Sequence, residues 1–448
     1  MVPNLESLLS KAAAYQDAKK FHDAEATYRE ALQLEPSHSG ALHNLAVLSA
    51  RRGALEQAIE LFDRLIFSHP EYFSAHFNRG NALKALGRGK EAVEAFQSTV
   101  SLEPEHYDAH LALGYFWLEF GNLGRSLDHF ARTYELRRGE DRTGIAARSL
   151  KTATSMKLKH DADLFRNLPR RARDGERFEI LARLYEGVAQ ELADGVSVLL
   201  PDQLDRLGWD YNGSIHSVDA PTVSGGAVNA NLNYNNVGDE YGSHTPLISY
   251  FDDFLSPQAL ERLQRFLQQS TIWHDFQHIP GFVASYLEDG LACPLILQIA
   301  HEFRTALPEI LSDHPLSQAW AFKSLVGTRP IKVHADDGAV SLNFWITPDE
   351  ANQNPPNGGL TIYRELPPPD WEPIGYEENQ SEINQFLSLN GASAVSVPYR
   401  TNRAVLFDSR LFHETDKPDF APGYQNHRIN ITMLFGEGAT CNKNGIYL

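Results

Sequence analysis

Three prolines fix the first part of this chain. Pro36, Pro70 and Pro104 stand 34 residues apart, in Leu34-Glu35-Pro36, Ser68-His69-Pro70 and Leu102-Glu103-Pro104. The same interval relates Ala24, Ala58 and Ala92, the rings Tyr28, Phe62, Phe96 and Phe130, and Gly80 with Gly114. A period of this length excludes a single irregular core. It demands one supersecondary unit copied along the chain, each copy burying its apolar face against the next. Units fall at about 5–38, 39–72, 73–106 and 107–140. Arg138 replaces the proline in the last, and Ala12 and Ala46 replace the glycine in the first two.

Small residue, aromatic ring and proline at these places resemble the tetratricopeptide repeat, a helix–turn–helix unit. The resemblance implies an all-α superhelix with a concave groove over residues 1–140. Asn44 and Asn78 occupy one place in successive units, with Ser10 and Ala112 at the equivalent outer places. An amide offers a donor and an acceptor. Repeat proteins that this array resembles hold an extended peptide backbone through such a ladder, so the groove is expected to bind a protein or peptide.

The chemistry gathers in the C-terminal half. Lys332-Val333-His334-Ala335-Asp336-Asp337-Gly338 has a histidine and an aspartate two apart, on one face if the run 330–336 is a strand. His413 follows the strand-like run Ala404-Val405-Leu406-Phe407-Asp408. Two imidazoles and one carboxylate suit a first-row divalent metal and leave coordination positions open. Arg428 lies fifteen residues beyond His413 on the next strand-like run. Its planar guanidinium suits a carboxylate. Period-two alternation sets Arg428, Asn430 and Thr432 on one face and Ile429, Ile431, Met433 and Phe435 on the other.

His-x-Asp, then Gly358-Gly359-Leu360-Thr361-Ile362-Tyr363, then His413 and Arg428 resemble the Fe(II)/2-oxoglutarate-dependent oxygenases over about residues 246–436. The resemblance implies a double-stranded β-helix (jelly-roll) with supporting helices. It implies Fe(II) on His334, Asp336 and His413, and 2-oxoglutarate held by Arg428. It further implies that O2 is consumed, succinate and CO2 are formed, and a C–H bond is hydroxylated. Asn430, Asn343 and Tyr363 are further candidates for pocket contacts. The gap from His413 to Arg428 is longer than in prolyl-hydroxylase-like members, and Asn430 stands where several relatives carry Ser. A halogenase of this superfamily would lack the carboxylate that Asp336 provides.

With 58 acidic against 40 basic residues, the net charge of −18 argues against nucleic acid or anionic membrane as the main partner. Cys293 and Cys441 are the only cysteines, so no disulfide framework is legible, and a cytoplasmic setting is expected. Between the two parts, 141–200 reads as a helical extension and 201–245 as linker. That linker holds the run Ser224-Gly225-Gly226-Ala227-Val228-Asn229-Ala230-Asn231. Residues 246–448 form the expected oxygenase domain, with 367–390 inserted between its strands. Ser256-Pro257 marks a helix start. Arg170-Arg171-Ala172-Arg173 reads as a solvated helix end. His274-Asp275-Phe276-Gln277-His278 imitates a zinc-protease motif, but Ile279-Pro280-Gly281 denies it a long helix. Asn212-Gly213-Ser214 is a glycosylation pattern outside a secretory context. Two other readings stay open: a small-molecule hydroxylase whose repeats serve assembly, and a repeat-based interaction protein with a passive barrel.

Overall fold

The computed structural model describes residues 4–139, 151–169, 174–243, 247–325, 330–368, 371 and 380–436. The run 170–173 and Cys441 lie outside the described residues. The chain divides into two compact units, the first reaching Phe116 and the second starting at Trp117.

The first unit is built of helix pairs. They are α1 (Leu5–Asp17) with α2 (Phe21–Leu34), α3 (Ser39–Arg51) with α4 (Leu55–Ser68), and α5 (Phe73–Ala85) with α6 (Gly89–Leu102). Helix α7 (Tyr107–Glu119) carries the boundary, and α8 (Leu123–Arg138) lies in the second unit. The period is explained by packing. Ala24, Ala58 and Ala92 are fully buried, as are Phe62 and Phe96. A Cβ on Gly80 would lie 2.7 Å from the Phe96 ring, so only glycine fits there without movement. Each turn within a pair needs a left-handed residue: Gly53, Gly87 and Gly121 have φ of 78°, 73° and 72°. Lys19, at the equivalent place in the first pair, adopts φ 55° despite its side chain.

The expected limit of the repeat region at 140 differs from the compact division because α8 is held by partners far along the chain. Arg138 donates from Nε and Nη2 to the two carboxylate oxygens of Asp289, both at 2.7 Å. Tyr134 Oη lies 3.1 Å from His274 Nε2.

Within the expected extension, the described residues form helices α9 (Ser155–Asn167) and α10 (Asp174–Glu191). Thr152–Ala153 (β1) and Ser197–Val198 (β2) pair briefly. The expected linker 201–245 is more than a linker. It contains α11 (Pro201–Leu207) and α12 (Tyr234–Ser243). Its loop backbone is bonded to side chains some seventy-five residues farther along the chain: Val223 N–H donates to Gln298 Oε1 and Ala227 N–H to Glu302 Oε2, each at 2.7 Å. Gln298 and Glu302 satisfy these backbone groups, so the Gly/Asn/Ser-rich composition does not signal freedom.

The sheet-rich region has two antiparallel sheets, neither of them closed. The strands are β3 (Ile248–Phe251), β4 (Phe282–Tyr286), β5 (Leu316–Ser324), β6 (Val340–Trp345), β7 (Leu360–Tyr363), β8 (Ala394–Val397), β9 (Ala404–Asp408), β10 (His413–Thr415) and β11 (Ile429–Phe435). One sheet runs β3-β9-β6-β11-β5-β4, the other β10-β7-β8. Helix α13 (Pro257–Gln269) starts where Ser256 caps it, with Pro257 at its first position. Helix α14 (Pro294–Ala306) runs into a single turn, α15 (Pro308–Leu311). Alternation along β11 and β6 gives the larger sheet an apolar face. Phe254 packs on Phe344 and Phe303 on Phe435, with ring centroids 5.1 and 6.2 Å apart. The other face carries Asn343, Asn430 and Thr432.

The expected strand at 330–336 is reduced to one bridge, His334 with His413. In the insertion, α16 (Gln380–Leu389) packs Ile383 and Leu387 on Val333 and Phe412, the chain neighbours of both histidines.

Candidate metal centre

The backbone places the two histidines opposite each other. His334 N–H donates to His413 O at 2.9 Å and His413 N–H to His334 O at 2.7 Å. Asp336 is fixed two residues on, its N–H donating to Ser409 O at 2.9 Å. His334 Nε2 lies 3.9 Å from Asp336 Oδ1, and His413 Nε2 lies 3.6 Å from Asp336 Oδ2. One ligand atom from each residue falls within 4.8 Å of the others.

The tautomers are set from behind. His334 Nδ1 is 2.7 Å from Lys332 O, and His413 Nδ1 is 3.0 Å from Leu411 O. A carbonyl accepts only, so each Nδ1 carries the proton and each Nε2 keeps its lone pair toward Asp336. Ser341 Oγ donates to Asp336 Oδ2 at 2.8 Å. All three residues are buried. Burial raises the Asp336 carboxyl above its ordinary range and drives His334 well below its own. Two neutral imidazole nitrogens and one carboxylate oxygen, facing one point, fit a divalent first-row cation with an open side.

The triad opens on a cavity of about 230 Å³. Asn343, Asn430 and Thr432 form one part of its lining, and Tyr286, Trp320 and Phe322 another. His278 also lines it. The zinc-protease-like motif therefore divides: His278 reaches this cavity, while His274 is buried with its Nδ1 3.2 Å from Asn212 Oδ1. The aromatic wall was not singled out from the sequence, and His278 was named there only within the motif set aside. The available signal was the alternation of Trp320 and Phe322 along β5, paired with Tyr286 and Ala284 of β4.

Arg428 is 2 % exposed. Its Nε donates to Gly358 O at 2.6 Å, its guanidinium sits 5.6 Å from the Trp345 ring centroid, and burial lowers it to about 10. Arg428 lines a second cavity, of about 520 Å³, together with Asn354, Asn357 and Asn426. The triad cavity is lined by its strand neighbours Asn430 and Thr432. Among the described residues, Arg428 Nη2 and Trp345 Nε1 are buried donors without a partner. Asn343 Nδ2 and Asn430 Oδ1 are likewise buried and unpaired.

Tyr363 does not join the pocket. Leu360 lines the cavity, and three residues on along β7 the side chain faces the other way. Its hydroxyl donates to Glu414 Oε1 at 2.6 Å, and burial with that carboxylate raises it to about 12. In the repeat unit, Asn44 and Asn78 are both half-buried on their first helices. Asn44 Nδ2 donates to Tyr28 Oη at 3.1 Å. Phe62 stands at the place of Tyr28 beside Asn78 and has no hydroxyl, so that bond is not repeated.

The tetratricopeptide repeat family model matches residues 9–73 and 77–141. The N-terminal region is a run of tetratricopeptide repeats. The chain is similar to the structure described as the crystal structure of MamA, at 23 % identity, over 30 % of this chain and 77 % of that one, with a TM-score of 0.29. It is similar to MamA 41-end from Desulfovibrio magneticus RS-1 at 22 % identity, over 31 % and 78 %, also with a TM-score of 0.29. No curated protein matches the chain. Among the described residues no helix is long and apolar enough to cross a membrane.

Proposed function

We propose that the second unit is an Fe(II)/2-oxoglutarate-dependent dioxygenase that hydroxylates a protein or peptide captured by the repeat groove. The carrying observation is the set of His334, Asp336 and His413, with ligand atoms within 4.8 Å and both imidazole tautomers fixed by backbone carbonyls. The six- and three-stranded sheets are taken as the two walls of a double-stranded β-helix, linked at the His334–His413 bridge.

Bound Fe(II) supplies the redox chemistry that couples decarboxylation of 2-oxoglutarate by O2 to oxidation of a C–H bond. The chain supplies position. His334 and His413 present Nε2, and Asp336 presents a carboxylate steadied by Ser341. Arg428, the strand neighbour of Asn430 and Thr432 in the triad cavity, is the group proposed to hold the distal carboxylate of the co-substrate. Buried donors in a low-dielectric site hold an anion more strongly than exposed ones. Tyr286, Trp320 and Phe322, across from Thr432 and Asn430 on the neighbouring strands of the same sheet face, exclude water from that side.

The test replaces the ligands one at a time. His334→Ala and Asp336→Ala are expected to lose stoichiometric Fe(II), measured by metal analysis after dialysis, and to lose succinate formation. Their melting temperatures should stay within a few degrees of the parent, since the ligands are polar pocket groups and not core packing. Full metal content and turnover in Asp336→Ala would refute the assignment.

A further inference from the structure

The two ends of the triad cavity differ in kind, and the strand register shows why. Tyr286 of β4 stands opposite Trp320 of β5, Trp320 opposite Thr432 of β11, and Thr432 opposite Asn343 of β6. Phe322 stands opposite Asn430 in the next row. Directly paired residues share a sheet face, so one face passes from amide and hydroxyl on β6 and β11 to rings on β5 and β4. The triad is tied to the polar end, because Ser341 of β6 donates to Asp336. The rings occupy the outer end, β4 being the last strand of its sheet. Their positions are fixed by packing. Trp320 and Phe322 meet edge to face at 6.3 Å, and Phe322 clusters with Phe282, Ala284 and Ile331. Tyr286 commits its hydroxyl to Asp275 Oδ2, at 3.1 Å, and so brings its ring to the cavity. Trp320 and Tyr286 are only half-buried, which leaves ring surface uncovered.

The ringed end discriminates between ligands. Among the described residues, the lining holds no lysine, arginine or glutamate, and its one aspartate is the metal ligand Asp336. A charged group brought against the rings would give up water without gaining a countercharge. A carboxamide would lose water against rings that cannot replace its hydrogen bonds. An aliphatic group gains by covering ring surface that is otherwise wet. Capture of a cation by the ring faces is the rival that the test below separates. At about 230 Å³ the cavity is smaller than pockets that enclose drug-sized ligands, so beside the co-substrate it admits a side chain and not a whole molecule. Resting on the dioxygenase reading above, we infer that the substrate presents a neutral aliphatic side chain, of leucine or its like, to Trp320, Tyr286 and Phe322. Trp320 is the specificity-determining residue. It lies between Tyr286 and Thr432 in its row and two residues from Phe322 on its strand.

The experiment uses full-length protein with Zn(II) and 2-oxoglutarate, which form no product together. The probes are N-acetyl N-methylamides of leucine, phenylalanine, glutamine, glutamate and lysine, titrated by ligand-observed NMR. The leucine probe is expected to bind at least about tenfold tighter than the glutamine, glutamate and lysine probes, and tighter than the phenylalanine probe. Trp320→Leu keeps an apolar wall and should hold the preference for leucine over lysine to within about threefold of the parent. Trp320→Glu supplies the missing countercharge, and the lysine probe should then overtake the leucine probe by about threefold or more. That reversal is a gain of binding and cannot come from a lost fold; melting curves accompany both variants. A leucine probe that binds no tighter than the glutamine or lysine probe, or does not bind, would overturn the inference. So would tightest binding of the phenylalanine probe, or an order unmoved in Trp320→Glu. Zn(II) and 2-oxoglutarate are also titrated without probes. If both bind while the probes show no order, the dioxygenase reading stands and the inference falls. If neither binds while the order persists and reverses in Trp320→Glu, the reading falls and the aliphatic site stands.

Discussion

Arg428→Lys separates charge from shape at the proposed co-substrate anchor. In the guanidinium, Nε donates to Gly358 O at 2.6 Å, while Nη2 has no partner among the described residues. A lysine ammonium on a flexible stem keeps the charge but cannot fill both positions of the planar fork. Either Gly358 O or the co-substrate carboxylate loses its partner. One charge-assisted hydrogen bond in a buried site is worth about 1.5–3 kcal/mol, which corresponds to a rise of about 10- to 150-fold in Kd for 2-oxoglutarate. Calorimetric titration of the Zn(II)-loaded protein reads that change directly, and succinate formation reads it as KM. Metal content should be unchanged, since Arg428 touches none of the three ligands. An unchanged Kd would refute the reasoning. Two other arginines are committed elsewhere and cannot substitute in place: Arg403 Nε is bonded to Asp252 Oδ1 at 2.6 Å, and Arg410 Nη2 to Asp408 Oδ2 at 2.7 Å.

Two further outcomes are expected. Asn44→Ala should destabilise the repeat unit by about 0.5–1.5 kcal/mol through the lost Tyr28 bond, read by chemical unfolding. Asn78→Ala should leave stability unchanged and weaken a trapped substrate peptide several-fold; equal effects of the two on both readouts would refute the asymmetry. The second unit should lose stability as the pH falls below 6.5. Burial holds His160 down to about 3 and His427 to about 4, each with Lys323 adding repulsion. His160 also faces Asp161, Lys157 and Tyr424 without recovering its ordinary value. The unfolded chain takes up these protons near pH 6.5 while the folded chain refuses them. Stability is therefore complete above that pH and declines by up to about 1.4 kcal/mol per pH unit for each histidine. His427→Asn, which can still donate to Ser324 O, should remove its share of the slope in pH-dependent unfolding; an unchanged slope would refute it.

Some of this was open to sequence reading and some was closed to it, for physical reasons. Periodic burial is local, so the 34-residue interval locates each helix pair, and Ser256 with Pro257 locates the start of α13. The His-x-Asp pair and His413 were legible because few other arrangements need those residue types together. The strand expected at 330–336 was not secure. Its pairing depends on a segment eighty residues away, and only the bridge at His334 and His413 forms. The period carries the repeats through α8, where the family model also ends at residue 141, but it cannot show that Arg138 answers to Asp289, 151 residues on. Tyr363 was misdirected because a strand's alternation is known only once its register is.

The orphaned amides show a deeper limit. Asn343 and Asn430 lie on different strands, and nothing in either stretch of sequence says that they meet. Register decides it: Asn343 pairs with Thr432, and Asn430 with Trp345, so the two amides lie diagonally across adjacent strands. Once there, two asparagines and a threonine have more hydrogen-bonding capacity than they can use on one another. A buried surplus of that kind destabilises an empty fold, because both free atoms have given up water. The aliphatic and aromatic residues on the opposite face of the same strands, Leu342, Phe344, Ile429 and Ile431, are all 2 % exposed or less and carry no such cost. One sheet therefore has a face that stabilises the protein and a face that does not.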